Sequence, residues 1–335
     1  MSIVIAGTLP PPIGGVSIHT KRLLHFLEKE GLSPRFIELR PRKNGHFDIW
    51  KYVRNIFLLA FGSQNDIIHY QMNNLLEATF ISVLCRIRSK LFVYTFHSFR
   101  VDYFNRLMRW SFRLCCRTVS CCIAPSKTIQ QQLVKRGMDA RKIHIISTYL
   151  PATKEEYEMY VPDEIKEFCS GEKIVLVANA YKLYRDESGV DVYGLDMCIE
   201  ACRRIEDIKV LFCMPLVGDE AYYQECCELI HDYNLHGRIL IYRNKVSLVS
   251  VFGLCDIFVR PTNTDSYGIS IEEALSSGLK AIASDVCERT EGTVLFKNRD
   301  LDDMINTIEM CLRRETRPYK ASNYSDLLNL YCRLH

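Results

Sequence analysis

Residues 256–285 read DIFVRPTNTDSYGISIEEALSSGLKAIASD, and this stretch decides the fold of the second half of the chain. The apolar run 257–259 is typical of a buried strand, and the polar loop 261–265 follows it. A helix is predicted next, with Ser270 as its N-cap, and a second buried strand is predicted at 281–283. Strand, loop and helix N-terminus in this order form an anion site in open α/β sheets, because unpaired N–H groups and the positive end of the helix dipole face the ligand.

Two carboxylates flank the predicted helix start, Asp265 in the loop and Glu273 in the helix. Gly268 lies between them and allows the backbone to approach a ligand closely. A phosphate is bound by N–H groups, whereas the hydroxyls of an attached sugar or ribose form strong charge-assisted hydrogen bonds with carboxylates. The pattern therefore indicates a site for a phosphate that carries a sugar or ribose. The alternative interpretation is an ordinary βαβ unit with a solvated acidic helix start.

On these residues the sequence resembles the nucleotide-sugar glycosyltransferases of family 4, whose signature is two acidic residues separated by seven others, around a glycine-containing turn. The match runs from Asp265 to Leu275, with Asp265 where the family more often has Glu. The resemblance implies the GT-B fold, an α/β architecture of two Rossmann-like doubly wound domains facing each other across a cleft, with a C-terminal helix that crosses back to the first domain. It also implies donor-binding roles for the turn and the helix start: Tyr267, Gly268, Ile269 and Ser270.

The composition is that of a soluble globular protein. The 335 residues suit two domains of ordinary size, and 48% of them are apolar and 25% charged. The 15 cysteines form neither a regular framework nor a zinc-type spacing, which favours buried, reduced thiols in the cytosol. The apolar run 56–61 is too short to cross a bilayer.

Charge divides the chain into two halves. Residues 1–150 hold 22 Lys and Arg against 8 Asp and Glu, whereas residues 151–335 hold 21 against 32. A basic half is expected to face an anionic partner. Its predicted helices 48–61 and 102–118 contain aromatic and basic residues, which suits an anionic membrane surface. A solvated arginine face is the alternative, and nucleic acid is an unlikely partner because no recognised binding motif is present. One stripe of the second helix carries four arginines: Arg106, Arg109, Arg113 and Arg117.

Strand-like runs alternate with helical stretches through the first 150 residues, which predicts a doubly wound parallel sheet. The runs lie at 2–7, 35–39, 67–70, 91–95, 121–124 and 143–146. After the first run, Gly14 and Gly15 open a helix and allow the backbone to approach a phosphate or sugar; a flexible turn is the alternative. Together with His19 they resemble the N-terminal loop of family 4 enzymes, which implies substrate binding at both glycines.

His97 follows the run 91–95, at the carboxyl edge of the predicted sheet where α/β proteins bind ligands. In family 4 a histidine in a similar Thr-x-His setting lies beside the reacting sugar carbon. The resemblance therefore implies that His97 is a catalytic residue, and the alternative is a histidine that serves only packing. His69, one strand earlier, is interpreted as structural.

Family members place an Arg after the first strand of the second domain and a Lys before the glycine of its first helix, and both hold the donor diphosphate. This sequence has Ala180 and Tyr193 at these places. A diphosphate removed from water needs cationic or N–H partners. Three basic residues are candidates to replace the missing pair, with the first preferred: Lys182, Arg185 and Arg260.

The sequence predicts a basic, Rossmann-like acceptor-binding domain at 1–150, a linker at 151–172, a Rossmann-like nucleotide-sugar-binding domain at 173–321 and a crossover helix at 322–335. We expect a retaining hexosyltransferase that moves a hexose from a nucleoside-diphosphate sugar to a glycan or lipid-linked acceptor. The resemblance implies surface polysaccharide assembly. The cysteines favour the cytoplasm, and the basic half favours peripheral binding to the inner face of the membrane.

In this interpretation no cofactor or metal takes part, and leaving-group stabilisation is electrostatic. Glu273 binds the ribose, Asp265 binds the donor sugar, and His97 supports the sugar or the developing charge. Two alternatives share the fold, a nucleotide-sugar epimerase and a phosphorylase. A third is a non-catalytic protein that binds sugar nucleotides or nucleic acid.

Overall fold

The computed structural model describes residues 2–11, 15–43, 45–64, 66–97, 99, 105–265, 268–313, 319 and 325–334. The chain divides into two compact units. The first holds residues 1–150 and 322–335, and the second holds residues 151–321. Each unit is built on a parallel sheet with six described strands.

The first unit alternates strands and helices, as predicted. Its strands are β1 (Ser2–Gly7), β2 (Arg35–Glu38), β3 (Arg42–Lys43), β4 (His46–Phe47), β5 (Asp66–Tyr70), β6 (Leu91–Thr95), β7 (Cys121–Ala124) and β8 (Ile143–Ile145). Its helices before residue 150 are α1 (Gly15–Lys29), α2 (Ile49–Phe61), α3 (Leu75–Ile87), α4 (Arg106–Thr118) and α5 (Lys127–Lys135), with a 3-10 turn at Ala140–Lys142. The sheet order is β2-β1-β5-β6-β7-β8, and β3 and β4 form a separate antiparallel hairpin.

Side chains of the first sheet alternate between two apolar layers, because successive residues of a strand point to opposite faces. Ile5 of β1 lies in the layer that includes Leu23 of α1. Val4 lies in the opposite layer, which is covered by α2, α3, α4 and α5. Burial on both faces explains why these strands read as nearly continuous apolar runs.

The second unit repeats the plan. Its strands are β9 (Ile174–Asn179), β10 (Lys182–Leu183), β11 (Ile208–Cys213), β12 (Leu216–Val217), β13 (Ile239–Tyr242), β14 (Ile257–Arg260), β15 (Lys280–Ser284) and β16 (Val294–Phe296). Its helices are α6 (Lys154–Tyr157), α7 (Asp163–Cys169), α8 (Leu195–Arg204), α9 (Glu220–Asp232), α10 (Leu248–Phe252), α11 (Ile269–Ser276) and α12 (Leu301–Arg313). The sheet order is β13-β11-β9-β14-β15-β16.

Both sheets contain a switch point, where the chain extends the sheet first to one side and then to the other. In the first unit this point lies between β1 and β5, and in the second it lies between β9 and β14. Open α/β sheets bind ligands outside the carboxyl ends of the strands at such points. The residues that follow β5 and β14 therefore lie where a ligand is expected to bind.

The segment 151–172 is not a linker, and that prediction is wrong. It belongs to the second unit and carries α6 and α7. Thr153 and Glu156 form a capping box at the start of α6, and Ile165 of α7 is fully buried against the sheet. Acidic residues of this segment lie in the first turns of both helices, where they stabilise the positive end of the helix dipole.

The last described helix, α13 (Ser325–Leu334), belongs to the first unit. Leu327, Leu330 and Tyr331 are buried in the same apolar layer as α1. The predicted return of a C-terminal helix to the first unit is confirmed. No described helix is long and apolar enough to cross a membrane.

Candidate functional site

One candidate site lies in the second unit, where β14 ends at the switch point and the loop 261–265 leads towards α11. Gly268 precedes α11 with a φ of 80°, in the left-handed region that glycine tolerates. A Cβ atom at Gly268 would lie 3.1 Å from both Arg260 Nε and Arg289 Nη1. Gly268 therefore allows two guanidinium groups to approach the backbone at the start of α11.

Ser270 is the second residue of α11 rather than its N-cap, so that prediction is wrong. Gly268 occupies the cap position, because its left-handed backbone turns the chain into the helix. Ser270 Oγ instead accepts a hydrogen bond from Arg260 Nη1 at 3.2 Å. Ile269 and Ser270 are both partly exposed, so the first turn of α11 is accessible.

The neighbouring helix α8 has a different N-terminus. Its cap, Gly194, is also left-handed, and a Cβ atom there would lie 2.4 Å from the carbonyl oxygen of Pro261. The buried carboxylate of Asp191 accepts hydrogen bonds from Leu195 N at 2.6 Å and from Tyr222 Oη at 2.7 Å. The carboxylate of Asp191 thus accepts a hydrogen bond at the N-terminus of α8. The cap residue of α11 is a glycine and has no side chain that could accept one.

Asp265 is held in a buried ion pair with two arginines. Its carboxylate accepts hydrogen bonds from Arg260 Nε at 2.5 Å, from Arg260 Nη2 at 3.1 Å and from Arg289 Nη1 at 2.6 Å. Burial alone would raise the pKa of Asp265, but the charges of Arg260 and Arg289 outweigh it and hold the pKa well below its usual range. Asp265 is therefore ionised, and both of its carboxylate oxygens accept hydrogen bonds from the arginines.

Arg289 is the part of this cluster that the sequence pattern did not indicate. Its side chain is 1% exposed. Its other donors reach Ser284 O at 3.0 Å and Thr262 Oγ1 at 3.1 Å. The two arginines and Asp265 carry a net charge of about +1 at the N-terminus of α11, where the helix dipole adds positive potential.

The two adjacent glutamates of α11 differ in exposure. Glu272 is buried and accepts a hydrogen bond from Tyr319 Oη at 3.0 Å, so it serves the packing of the second unit. Glu273 is partly exposed and lies one turn after Ser270, on the same face of the helix. Glu273 is therefore the carboxylate of α11 that a ligand can reach.

Two of the three basic residues predicted to hold a diphosphate lie elsewhere. Lys182 is exposed on β10, and a Cβ atom at Gly218 would lie 2.3 Å from its Cε. Arg185 forms ion pairs with Glu225 at 2.9 Å and with Asp219 at 3.4 Å. Only Arg260 among the three lies at the start of α11.

Another candidate site lies in the first unit, beside β5 and β6. His97 is partly exposed, and its Nε2 lies 2.8 Å from Oε1 of the fully buried Gln71. The rings of His97 and His19 meet edge to face with centroids 4.8 Å apart. Gln71 directly follows β5 at the switch point, so the first unit also gathers polar groups there.

Three histidines in this region are neutral at pH 7. Burial lowers the pKa of His19 to about 4, partly offset by its hydrogen bond to Thr148 O at 2.6 Å. Burial also lowers the pKa of His69 to about 3, and that of His97 falls well below its usual value from burial and the nearby His19. A neutral imidazole is a hydrogen-bond donor at one nitrogen and an acceptor at the other.

Helices α2, α3 and α4 cover the same face of the first sheet and leave apolar side chains on the surface. Helix α2 has five apolar residues at helical spacing: Ile49, Val53, Ile56, Phe57 and Ala60. The structure buries Ile56 and Ala60 but exposes the other three. Five exposed aromatic residues define what we call the aromatic face: Trp50, Phe57, Phe61, Phe80 and Trp110.

Exposed basic residues lie on two of the same helices, α2 and α4. The four predicted arginines of α4 are all exposed, and so are Lys51 and Arg54 of α2. Gly15 is the exposed first residue of α1, whereas Gly14 and Tyr267 lie outside the described residues. Within the described residues, no group of three or more His, Cys, Asp or Glu side chains could hold a metal ion.

Two family models match the chain. The model of Glycosyltransferase Family 4 matches residues 13–150, and the model of Glycosyl transferases group 1 matches residues 188–323. The chain belongs to the group 1 glycosyltransferases. It is therefore a transferase. Comparison of this glycosyltransferase with curated protein sequences returned no match.

Solved structures show the same architecture as this glycosyltransferase. Anabaena HepE in complex with UDP-glucose is 14% identical with a TM-score of 0.63, over 93% of this chain and 90% of that one. The lipopolysaccharide outer core galactosyltransferase WaaB in its apo form is 13% identical with a TM-score of 0.67, over all of both chains. The UDP-GlcNAc 2-epimerase of Methanocaldococcus jannaschii is 13% identical with a TM-score of 0.59, also over all of both chains. The predicted GT-B fold is confirmed.

Sequence reasoning missed Gln71, Arg289 and Asp191. Asp191 carried a weak signal, because an Asp shortly before a glycine-initiated helix is a common capping arrangement. Gln71 and Arg289 carried none, since each meets its partner only through the alignment of neighbouring strands.

Proposed function

We propose that this glycosyltransferase transfers a hexose from a nucleoside-diphosphate sugar to a glycan or lipid-linked acceptor, with retention of configuration and without a metal. One observation carries the proposal. The accessible N-terminus of α11 follows a left-handed glycine at the switch point, with Arg260 at its first turn and Glu273 one turn further along. A helix N-terminus supplies N–H donors and positive potential, which is what a diphosphate requires.

The diphosphate is proposed to bind at the first turn of α11. Arg260 replaces the cationic pair that the resemblance led us to expect, because its guanidinium lies at that turn, whereas Arg185 is ion-paired with Glu225 and Lys182 lies on β10. Binding a dianion there is favoured by the net positive charge of the arginine cluster. UDP and UDP-glucose in the structures of HepE support a nucleotide-sugar donor.

The two acidic residues of the signature have different proposed roles. Glu273 accepts hydrogen bonds from the ribose hydroxyls, since it is the accessible carboxylate of α11. Asp265 orients Arg260 and Arg289 through three ion-paired hydrogen bonds. A direct contact of Asp265 with the donor sugar would require one of these bonds to be exchanged when the donor binds.

His97 is proposed to act in the transfer step as a neutral imidazole. A neutral ring accepts a hydrogen bond from a sugar or acceptor hydroxyl and does not offer a full positive charge to the leaving phosphate. The resemblance implied that His97 supports either the sugar or the developing charge. For a neutral ring we propose only the hydrogen-bonding role. The positive potential for the leaving group comes instead from α11 and Arg260.

The decisive experiment is a screen of nucleoside-diphosphate sugars for thermal stabilisation, followed by product analysis with glycan and lipid-linked acceptors in the presence of EDTA. The proposal predicts that one donor raises the melting temperature, because a ligand that binds only the folded protein stabilises it. Proton spectra of the product should show the donor's anomeric configuration. Inversion, a requirement for metal, or isomerised nucleotide sugar formed without an acceptor would each contradict it, and the last would favour the epimerase.

The aromatic face is proposed to bind the anionic inner surface of the membrane, where a lipid-linked acceptor of surface polysaccharide assembly would be presented. Aromatic side chains suit the headgroup region, and the arginines of α4 provide the complementary charge. Trp50 and Trp110 are the only tryptophans of the chain and are 81% and 61% exposed. Both therefore report directly on this surface.

The membrane proposal predicts a blue shift of tryptophan emission on vesicles of phosphatidylglycerol and phosphatidylcholine, and none on phosphatidylcholine alone. Replacing Arg106 and Arg113 by Glu should abolish the shift. The matched control replaces Arg203 and Arg204 of α8, in the second unit, by Glu and should leave the shift unchanged. Equal binding to neutral vesicles, or no effect of the α4 variant, would contradict an electrostatic membrane surface.

A further inference from the structure

Gln71 lies between two histidines of the first unit. Its Oε1 is 2.8 Å from His97 Nε2, and its Nε2 is 2.8 Å from Nε2 and 3.4 Å from Nδ1 of His69. The amide nitrogen is within 3.4 Å of both ring nitrogens. An atom in the ring plane at these distances would clash with the carbon between the two nitrogens, so the amide nitrogen lies over the face of the His69 imidazole. The edges of that ring are held by Thr95 Oγ1, 2.7 Å from Nε2, and by the hydroxyl of Tyr331 at Nδ1.

These contacts decide which way the amide of Gln71 points. The face of an aromatic ring carries negative charge density, which attracts N–H groups and repels a carbonyl oxygen. The amide nitrogen also lies 3.4 Å from Thr95 Oγ1, which can accept a hydrogen bond from it. Both contacts direct the NH₂ group towards His69 and the oxygen towards His97.

The orientation of the amide determines the proton position on His97. A carbonyl oxygen only accepts hydrogen bonds, so His97 donates to it from a protonated Nε2. Since burial keeps the pKa of His97 well below its usual value, the ring is neutral and holds a single proton. The lone pair is then on Nδ1.

We propose that Gln71 is the positioning residue of His97: it fixes the Nε2–H tautomer, so that Nδ1 is the atom that accepts a hydrogen bond from a substrate hydroxyl. Tyr331 of α13 and Thr95 of β6 support this arrangement by holding His69 under the amide. The C-terminal helix thereby contributes to the order of the candidate site. The catalytic consequence rests on the proposed transferase function, whereas the tautomer does not.

The tautomer can be measured in the ligand-free protein by long-range proton–nitrogen correlation spectra with ¹⁵N-labelled histidine. His97→Gln identifies the signals of this ring by their disappearance. The wild-type protein should show a protonated Nε2 and an unprotonated Nδ1 at His97. Gln71→Met keeps the length of the side chain and removes the acceptor, so it should convert His97 to the other tautomer or to a mixture.

A matched control is Ser82→Ala in α3, which removes another buried hydrogen bond of the first unit, from Ser82 Oγ to Thr79 O at 2.8 Å. It should leave the His97 signals unchanged. An unaltered His97 pattern in Gln71→Met would overturn the proposal. If Gln71→Met does not fold, Tyr331→Phe decides: loss of its hydroxyl should give His97 a second set of signals, and a single unaltered set would overturn it.

Activity supplies the second readout. Gln71→Met should lower kcat by about tenfold to a hundredfold, the range known for groups that orient metal-ligating histidines, while the donor KM changes less than about twofold. A changed tautomer with an unchanged kcat would overturn the catalytic consequence. Absence of any transfer by the wild-type protein would contradict the proposed function but would not affect the conclusion about the tautomer of His97.

Discussion

Replacing Asp265 by Asn tests whether the buried ion pair holds the start of α11. The substitution keeps the shape of the side chain and removes its charge. Arg260 and Arg289 then face each other across a neutral amide, with side chains only 13% and 1% exposed. Removing one partner of a buried ion pair is destabilising mainly because the remaining charge stays buried without compensation.

The structure allows the magnitude to be worked out. Breaking a buried pair typically costs about 3–5 kcal/mol, and the amide oxygen of Asn retains one of the three ion-paired hydrogen bonds. We therefore expect a loss of about 3 kcal/mol in the free energy of unfolding of the second unit. With a urea m-value of about 2 kcal/mol/M, the midpoint of that unit should fall by about 1.5 M.

Urea denaturation followed by far-UV circular dichroism measures the shift, and amide hydrogen exchange by mass spectrometry assigns it to a unit. Peptides from β14, α11 and β15 should lose protection, and those from the first sheet should not. Asp139→Asn is the matched control, because Asp139 also pairs with an arginine, Arg141, but on the surface of the first unit. Exposed pairs contribute little to stability.

The pH dependence provides an independent check. The arginines hold the pKa of Asp265 below that of the unfolded chain, about 3.9, so its stabilisation is complete above that pH and is lost as the pH falls below it. The stability difference between wild type and Asp265→Asn should be constant from about pH 8 to pH 5 and should narrow below about pH 4. A midpoint that moves by less than about 0.3 M, or a shift shared equally by both units, would refute the assigned role of this cluster.

Three further predictions concern the rest of the site. Glu273→Gln should weaken donor binding by about 1.5–3 kcal/mol in calorimetry, the value of a hydrogen bond to a charged group, whereas Glu187→Gln on the exposed surface should not; equal affinity would remove Glu273 from the site. His97→Ala should lower turnover more than donor affinity, and wild-type rates would exclude a catalytic role. His19 and His69 stay neutral in the fold down to about pH 4 and 3, so the unfolded chain binds more protons below about pH 6.5, and the first unit should lose up to about 1.4 kcal/mol per histidine per pH unit as the pH falls. Melting curves of wild type and His69→Gln between pH 7 and pH 5 measure this effect, and parallel curves would contradict it.

Local patterns predicted the backbone of this protein well. The unit around α11 was predicted from an apolar run, a polar loop and a helical spacing, and the structure places its strands at Ile257–Arg260 and Lys280–Ser284. His97 was found for the same reason, since a residue just after a predicted strand lies at a known edge of the sheet. Such features depend on neighbours in sequence, and the period of the side chains reveals them.

Local sequence patterns did not predict which side chains contact each other. Asp265 meets Arg289 from 24 residues away, and Gln71 meets His97 from 26 residues away, because parallel strands bring their carboxyl ends together. Lys182 was preferred over Arg260, yet it is Arg260 whose Nη1 donates a hydrogen bond to Ser270 Oγ in the first turn of α11, a contact that the period of the side chains does not reveal.

The two units differ in the charge of the groups at their switch points: the second has buried arginines, and the first has neutral histidines. At the second switch point, Asp265 keeps two arginines buried and oriented, so that their net positive charge reaches the start of α11. At the first, burial keeps three histidines neutral, and Gln71 sets the direction of one of them. A charged His97 would lose its only acceptor nitrogen, the atom that the proposed function assigns to a substrate hydroxyl. Gln71→Glu would place a carboxylate beside His97 and raise the pKa of its ring, so we expect this substitution to lower turnover without weakening donor binding.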